Sequence, residues 1–333
     1  MQMNRQMRPW CLTSAGVGAA IWLLYILVTA TDWNYVATIE RLLLLAVLVF
    51  TPLALALVPQ WYAGETNIAI LYWAYRLQPF AALLVVLAFT QPAGMTAAIL
   101  SLPWLLCAGC IALAGLALRN AAIGHYPVHE WVLTVGMLYL PIGAGWLLLS
   151  RWGVRPLDFP AVIVLLTAVH FHYTGFAVPV ITALTGRFLT RNHLSLALYP
   201  WLAGAVVMAT PLIAAGITLA PWLEAIGVLL IFMAVVGLAS VIGWYVLPRL
   251  PTLLARGLLA MAACAMVVAI IPALLYGAGE LLERSWITIP RMVQLHGFTN
   301  ALGFVACGLT GWLVAGMETH LQPDKLPLPM EAK

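Results

Sequence analysis

Residues Leu166 to Gly175 read LTAVHFHYTG and place two histidines and a tyrosine inside a long apolar run. A helix needs about 20 mostly apolar residues to cross the hydrocarbon core of a bilayer, and the run from Phe159 to Leu184 satisfies that length. Ionisable side chains are rare and costly at such positions, so they mark a functional site by default. The segment therefore predicts a membrane helix that carries a candidate site.

The composition of the whole chain is that of an integral membrane protein. Hydrophobic residues make up 64% of the 333 residues and charged residues only 8%, whereas soluble domains carry about 25% charged residues. The formal net charge of +4 is small, and it is spread over the ends of the apolar runs, which leaves no basic patch for nucleic acid. We expect the lipid bilayer as the surroundings and no nucleic-acid partner.

Apolar runs of membrane length recur along the chain. They predict an all-α, polytopic transmembrane bundle of about ten helices. Residues 1–333 would form a single integral membrane domain with a short polar N-terminal segment, 1–9, and a C-terminal tail, 318–333. The aromatic-rich stretch Pro59–Leu77 is expected at the membrane interface, leading into a third helix that reaches Thr90. The other predicted helices are Trp10–Ala30, Ile39–Val58, Ala93–Leu118, Trp131–Leu149, Phe159–Leu184, Leu198–Ala220, Trp222–Leu247, Leu253–Gly277 and Val293–Gly316.

The distribution of basic residues predicts the orientation of this bundle, because cytoplasmic loops are enriched in Lys and Arg. Ten of the 15 basic residues fall on the side of the membrane that holds both termini. These are Arg5, Arg8, Arg76, Arg119, Arg187, Arg191, Arg249, Arg256, Lys325 and Lys333. The remaining residues are Arg41, Arg151, Arg155, Arg284 and Arg291. We therefore expect the N- and C-termini in the cytoplasm.

Helical geometry separates the histidines of the opening segment. Successive residues are about 100° apart around a helix, so His170 and His172 lie on different stripes. The stripe of His170 is polar and also holds Thr167, Tyr173 and Thr174. We expect His170 to face the interior of the bundle. His172 either lines a second wall or is turned by a helix distortion near Gly175 and Pro179.

The last predicted helix carries a matching polar stripe. His296, Asn300, Gly303 and Cys307 follow a helical spacing, and stripes of small and polar residues usually face protein in membranes. The second, sixth and tenth helices run in the same direction, so their polar residues fall in the same half of the bundle. We expect His170 and His296 to share a pocket with Asn300.

Other polar residues are weaker candidates. Glu40, at the start of the second helix, is assigned to orienting or charging an imidazole. Arg76 either extends its guanidinium to the lipid headgroups or binds an anionic group, and it joins His172 and Thr174 as a candidate substrate contact. Pro127 favours a turn between His125 and His129, so we expect these two histidines in a surface loop.

Short motifs also carry a resemblance to a known family. They are HFHYTGF at His170–Phe176, HGFTNA at His296–Ala301 and ERLLL at Glu40–Leu44. In these motifs and in the layout of its apolar runs, the chain resembles the YndJ-like family of bacterial multi-pass membrane proteins. The resemblance implies the inner or plasma membrane of a bacterium and supports the site. It implies no particular reaction.

The candidate residues are compatible with two main classes of function. In the first, a membrane-embedded enzyme of isomerase or cyclase type acts on a lipophilic small molecule without a cofactor. His170 and His296 exchange protons, while Tyr173 and Asn300 hold a polar group of the substrate. Glu40 supports one of the imidazoles.

The alternative is a redox protein in which His170, His172 and His296 ligate haem, copper or non-haem iron. A transporter or sensor is a third possibility. A regular helix cannot direct both His170 and His172 at one small ion. Acid–base catalysis needs only one of them opposite His296, so the sequence favours proton transfer.

Overall fold

A computed structural model describes residues 2–31, 34–58, 69–121 and 126–320 of the chain. These residues form helices joined by short connections, and they contain no β-strand. In this part of the chain, ten helices are long and apolar enough to cross a membrane. They are α1 (Met7–Val28), α2 (Tyr35–Leu57), α3 (Ala69–Phe89), α4 (Met95–Asn120), α5 (Val128–Trp152), α6 (Ala161–Arg191), α7 (Leu198–Leu219), α8 (Pro221–Arg249), α9 (Leu253–Leu281) and α10 (Ile289–Gly316). The predicted all-α polytopic bundle is confirmed.

The predicted helix limits lie close to the observed ones, with two larger differences. Helical structure begins at Gln2, so the polar N-terminal segment continues directly into α1. Helix α6 extends to Arg191, beyond its predicted end at Leu184, and Arg187 and Leu189 in this extension are buried. Of the predicted interfacial stretch Pro59–Leu77, the structure describes the part from Ala69 onward, which is helical. The rest of that stretch and most of the C-terminal tail lie outside the described residues.

Widened π-helical turns interrupt several of the membrane helices. Three of these turns each end two residues before a proline: Ala46–Phe50 before Pro52 in α2, Tyr173–Ala177 before Pro179 in α6, and Ile242–Val246 before Pro248 in α8. A proline lacks an N–H, and its ring clashes with the carbonyl four residues earlier. A wider turn relieves that clash, and in α6 the N–H of Val178 donates to the carbonyl of Tyr173. Helix α6 is thus distorted at Gly175, which was one of the two alternatives that the sequence left open for His172.

Small residues let α10 pack closely against three neighbouring helices. A Cβ atom at Gly303 would lie 2.6 Å from Cβ of Ala265 on α9, and one at Gly297 would lie 2.9 Å from Cδ1 of Leu42 on α2. A Cβ atom at Gly308 would lie 2.9 Å from Cδ1 of Ile181 on α6. Close approach of backbones increases van der Waals packing, which helps to drive helix association in lipid, where apolar burial gives little driving force. These contacts fix α10, and with it His296, against α2, α6 and α9.

Candidate functional site

A cavity of about 840 Å³ is lined by residues of α2, α6, α7, α8, α9 and α10, together with Trp146 of α5. This is the size of sites that hold drug-sized molecules, which are typically about 300–1,000 Å³. Most of its lining is aliphatic or aromatic, and the predicted site residues among the lining are His170, Tyr173, Thr174, His296 and Asn300. The structure therefore brings five of the predicted residues to one cavity.

The cavity extends to one end of the bundle, which we call the mouth face. The mouth face is the end at which α6, α8 and α10 begin, and residues at those ends, including Phe159, Pro221 and Ile289, line the cavity. At about 1.5 Å per residue, His170 lies about 14 Å along α6 and His296 about 11 Å along α10. The histidines are therefore deep in the cavity, well inside the membrane-spanning region.

The imidazoles of His170 and His296 lie next to each other, with ring centroids 6.5 Å apart and an interplanar angle of 26°. Nδ1 of His170 is 2.8 Å from the carbonyl oxygen of Leu166. A carbonyl only accepts hydrogen bonds, so Nδ1 carries the proton and Nε2 keeps its lone pair. Nε2 of His170 has no partner among the described residues. It is a free hydrogen-bond acceptor in the cavity.

His296 has partners for both ring nitrogens. Nδ1 donates to the carbonyl oxygen of Ala269 on α9 at 2.8 Å, and Nε2 accepts from Nδ2 of Asn300 at 3.0 Å. These bonds fix the ring orientation and the tautomer, because the carbonyl requires a proton on Nδ1. The two neighbouring histidines are thus chemically different, since His170 offers a free Nε2 and His296 does not.

Tyr173 and Thr174 border the cavity within the π-helical turn of α6. The hydroxyl of Tyr173 donates to the carbonyl oxygen of Leu42 at 2.9 Å, and its ring packs edge-on against Phe50 at 5.6 Å. The hydroxyl proton of Tyr173 is already donated to the backbone of α2. Tyr173 can therefore offer a ligand the lone pairs of its hydroxyl oxygen and the face of its ring. The contact also ties α6 to α2 beside His170.

His172 lies on another side of α6, away from the cavity. It is buried, and its Nδ1 donates to the carbonyl oxygen of Ala168 at 2.8 Å. Its Nε2 accepts from Nε1 of Trp104 at 3.0 Å, and the two rings stack. Both nitrogens therefore have partners within the bundle, and the structure does not bring the predicted substrate contact His172 to the cavity.

The alternative metal set of His170, His172 and His296 is not assembled. His172 points to Trp104 on α4, whereas the other two histidines border the cavity. Across the residues that the structure describes, no group of three or more His, Cys, Asp or Glu side chains could hold a metal ion. Only Nε2 of His170 is ready to ligate, because Nε2 of His296 is held by Asn300.

Glu40 and Arg76 also lie elsewhere. Oε1 of Glu40 is 3.5 Å from Nη1 of Arg151, and the lining of the cavity does not include Glu40. Arg76 is exposed near the start of α3, where its guanidinium lies over the rings of Trp10 and Tyr72 at 5.0 and 5.5 Å. Helix α3 begins at the end of the bundle opposite the mouth face, so Arg76 is remote from the cavity.

The surface-loop interpretation of His129 is wrong. His129 and Glu130 are buried in the first turn of α5. Nε and Nη2 of Arg187 donate to the two carboxylate oxygens of Glu130 at 2.6 and 2.9 Å, and Nη1 donates to the carbonyl oxygen of Leu57 at 3.1 Å. The attraction between the opposite charges and these hydrogen bonds offsets part of the cost of removing both groups from water. His125 lies outside the described residues.

Sequence reasoning missed five polar residues of the cavity, which are Thr210, Thr218, Glu224, Tyr276 and Glu280. The spacing of Tyr276 and Glu280 puts them one turn apart on α9 and was a usable signal. Glu224 directly follows the joint Ala220–Pro221 and resembles an ordinary helix-start carboxylate. Thr210 carries no signal that separates it from other threonines in membrane helices.

Comparison with known proteins gives the family. A model described as YndJ-like protein matches residues 41–304. The chain belongs to the YndJ-like family. The matched region holds α3 to α9 complete and most of α2 and α10, so it includes every helix around the cavity. The resemblance seen in the short motifs is confirmed.

A relative in Bacillus subtilis (strain 168) is named uncharacterized membrane protein YndJ. The present chain is 30% identical to it over 187 residues, which are 56% of this chain and 33% of the relative. The chain thus matches about a third of the length of this YndJ protein. No solved structure matches the chain. Family and membrane location follow from these comparisons.

Proposed function

We propose that this YndJ-like protein is a membrane-embedded enzyme that moves a proton on a lipophilic small molecule, as an isomerase or cyclase does. One observation carries the proposal. Nε2 of His170 is unpartnered in a cavity with a mostly apolar lining, and a second imidazole lies 6.5 Å away, between ring centroids. A free imidazole nitrogen in such a cavity is suited to general acid–base catalysis.

The proposed step needs no co-reactant. Nε2 of His170 takes a proton from one carbon of the substrate, and the electrons of that C–H bond shift a double bond along the molecule. The imidazolium then returns a proton to another carbon, so the product is an isomer and His170 is restored. The bond from Nδ1 to the carbonyl oxygen of Leu166 favours the transient imidazolium.

Asn300 and His296 position the substrate in this scheme. One N–H of Asn300 holds Nε2 of His296, which leaves the amide oxygen and the second N–H for a polar group of the substrate. His296 is fixed by the backbone of Ala269 and acts as the wall opposite His170. The sequence predicted that His170 and His296 exchange protons with each other. In the present scheme only His170 transfers a proton, because Nε2 of His296 is hydrogen-bonded to Asn300.

The same residues also bear on the redox alternative. A haem or a metal ion would find one ready ligand, Nε2 of His170, and would have to displace Asn300 to gain His296. Haem, copper or non-haem iron therefore remains an alternative cofactor that the experiment below distinguishes. Transport and sensing make no specific use of the unpartnered nitrogen, so we rank them last.

We further propose a bacterial inner or plasma membrane with both termini in the cytoplasm, so that the cavity opens to the outer side. Three of the arginines are buried within helices, so they do not count as loop residues: Arg41, Arg151 and Arg187. Arg41 donates a hydrogen bond to the carbonyl oxygen of Thr29, and the other two form ion pairs with glutamates. Without these three arginines, nine basic residues remain on the side of the termini and three on the other side. The bias supports this orientation more strongly than the sequence count did.

Proton transfer to carbon can be tested without knowing the substrate. Purified protein in nanodiscs made from total membrane lipids of Bacillus subtilis is incubated in D2O, and the extracted lipids are analysed by high-resolution mass spectrometry. We expect a lipid species to gain carbon-bound deuterium, because the proton on Nε2 exchanges with water through the mouth face. His170→Ala should abolish this labelling.

The matched control is His193→Ala, which removes an exposed histidine outside the cavity. It should label as the wild type does. Wild-type protein that labels no lipid above empty nanodiscs, or labelling that survives His170→Ala, would contradict the proposal. Stoichiometric metal or haem in purified wild-type protein, lost in His170→Ala, would instead support the redox alternative.

A further inference from the structure

Two carboxylates border the cavity close to the mouth face. Glu224 lies in the first turn of α8, and Glu280 lies in the last turn of α9. Both line the cavity together with Tyr276, and the two carboxylates are near enough to interact electrostatically. They converge because both helices have an end at the mouth face.

The fold gives little reason for a second carboxylate at this place. A helix dipole favours an acidic side chain at the start of α8 but disfavours one at the end of α9. Neither Glu224 nor Glu280 forms an ion pair with another described residue. Glu224 is half-buried, with its backbone packed against Gly216 of α7. Among the described residues, no cation pairs with either carboxylate, and Glu280 has a hydrogen bond with the hydroxyl of Tyr276.

The charge of the cavity selects among ligands. Within the described part of the chain, the lining contains these two glutamates and neither lysine nor arginine. Clefts of one sign with low-dielectric walls concentrate ions of the opposite sign. The carboxylates thus attract a cationic group, while the surfaces of Ile213, Val228 and Ile231 accept an apolar chain.

A separate observation in the same cavity also points to a ligand. Thr210 of α7 lines the cavity and is only 6% exposed, yet its Oγ1 has no hydrogen-bond partner among the described residues. Buried polar groups are as a rule hydrogen-bonded, and an exception requires an explanation. A polar group of a bound molecule would supply the missing partner, at a depth of about 14 Å from the end of α7.

We propose that the ligand of this cavity is a cationic amphiphile with a single apolar chain. Its amine or quaternary ammonium head lies between Glu224 and Glu280, and its chain extends inward past α7 and α8 toward His170. The proposal names the substrate class of the proposed enzyme and so rests on that function. Thr210 and Asn300 then meet a polar group or double bond at the inner end of the molecule.

Binding of a defined probe tests this proposal. The full chain in nanodiscs is titrated with radiolabelled dodecyltrimethylammonium below its micellar concentration, and binding to empty nanodiscs is subtracted. Unlabelled dodecanol and dodecanoate, which have the same chain with a neutral or an anionic head, serve as competitors. We expect saturable binding of the ammonium compound and at least tenfold weaker competition by the other two.

Matched variants assign the binding to the carboxylates. Glu224→Gln with Glu280→Gln keeps the shape of both side chains, and it should weaken ammonium binding at least tenfold. Glu283→Gln makes the same kind of charge change at the same face of the bundle, outside the cavity lining, and should alter binding less than twofold. Equal loss in Glu283→Gln would show a general surface-charge effect and overturn the proposal.

Other outcomes are equally decisive. Unchanged binding in the double glutamine variant, or dodecanol binding as tightly as the ammonium compound, would overturn the cationic ligand. Binding that requires added Mg2+ or Ca2+ would assign the carboxylates to a metal ion and overturn it as well. If ammonium binding fails while His170-dependent deuterium labelling persists, only the substrate class is wrong. If binding holds and labelling fails, the ligand class stands and the enzymatic function falls.

Discussion

The imidazole of His170 on α6 lies 6.5 Å from that of His296 on α10, measured between ring centroids, with the planes 26° apart. The two helices run in the same direction, and both widen into π-helical turns at this level. Such turns are frequent at functional sites, because they redirect side chains that a regular helix would hold apart. Here they accompany two histidines with different hydrogen bonding.

That difference predicts selective chemical modification. Diethyl pyrocarbonate reacts with unengaged imidazole nitrogens, so it should modify His170 in the wild-type protein and leave His296 unmodified. Asn300→Ala removes the amide that holds Nε2 of His296, so His296 should then react at a rate comparable to that of His170. Peptide mass spectrometry after a timed exposure measures both rates.

His172 and His193 provide internal references in the same experiment. His172 has partners on both nitrogens and should stay unmodified, whereas exposed His193 should react at once. If His296 reacts as fast as His170 before Asn300 is replaced, the proposed difference between the two rings is incorrect.

Trp104→Phe tests the buried contact to His172. The substitution keeps an aromatic ring beside the imidazole but removes the N–H that donates to Nε2. An unsatisfied buried acceptor costs about 1–3 kcal/mol, so the free energy of unfolding should fall by that amount. Denaturant titration in detergent, followed by a probe other than tryptophan fluorescence, measures the loss.

Trp201→Phe is the control, because Trp201 is 78% exposed. It should leave stability unchanged, and deuterium labelling should persist in both variants. Loss of labelling in a stably folded Trp104→Phe protein would argue that His172 has a direct part in the reaction.

Arg187→Met tests the buried ion pair at the end of the bundle opposite the mouth face. The substitution leaves the carboxylate of Glu130 buried without its bidentate partner. Breaking such a pair from one side costs about 3–5 kcal/mol, so we expect poor expression or a strongly lowered unfolding midpoint.

Adding Glu130→Leu to Arg187→Met should recover part of the lost stability, since two apolar side chains then replace the pair. Arg249→Met, at an exposed arginine, should have little effect. A double variant less stable than the single variant would show that Glu130 stabilises the bundle through contacts other than Arg187.

The orientation can be tested with reporter fusions. Alkaline phosphatase, which is active outside the cytoplasm, should be inactive when fused after Lys333 and active when fused in the connection at Gly153. The ten spans place these two positions on opposite sides of the membrane. The reverse pattern would turn the mouth face toward the cytoplasm, and equal activity at both positions would contradict the number of spans.

The periodic and compositional features of the chain were readable from its sequence. Ten apolar runs correspond to the ten membrane-length helices in the described part of the chain, because the bilayer requires every backbone group to be bonded within its own segment. The separation of His170 from His172 follows from helical geometry alone, and so does the polar stripe of α10. Pro179 indicated a distortion of its helix, because a proline lacks the backbone N–H that a regular helix requires. Each of these features depends on residues close together in the chain.

Partner choice between helices depended on the tertiary structure. Nothing local distinguishes Glu40, which pairs with Arg151, from Glu224, which borders the cavity. The sequence left two alternatives open for His172, and only the structure shows that Trp104 of α4 donates to it. Side-chain roles of this kind are set by which helix faces meet, and similar apolar surfaces in lipid leave many pairings nearly equal in energy. Small residues such as Gly303 decide among those pairings, because they let one particular neighbouring helix approach closely. Only the folded bundle shows which helix surfaces they join.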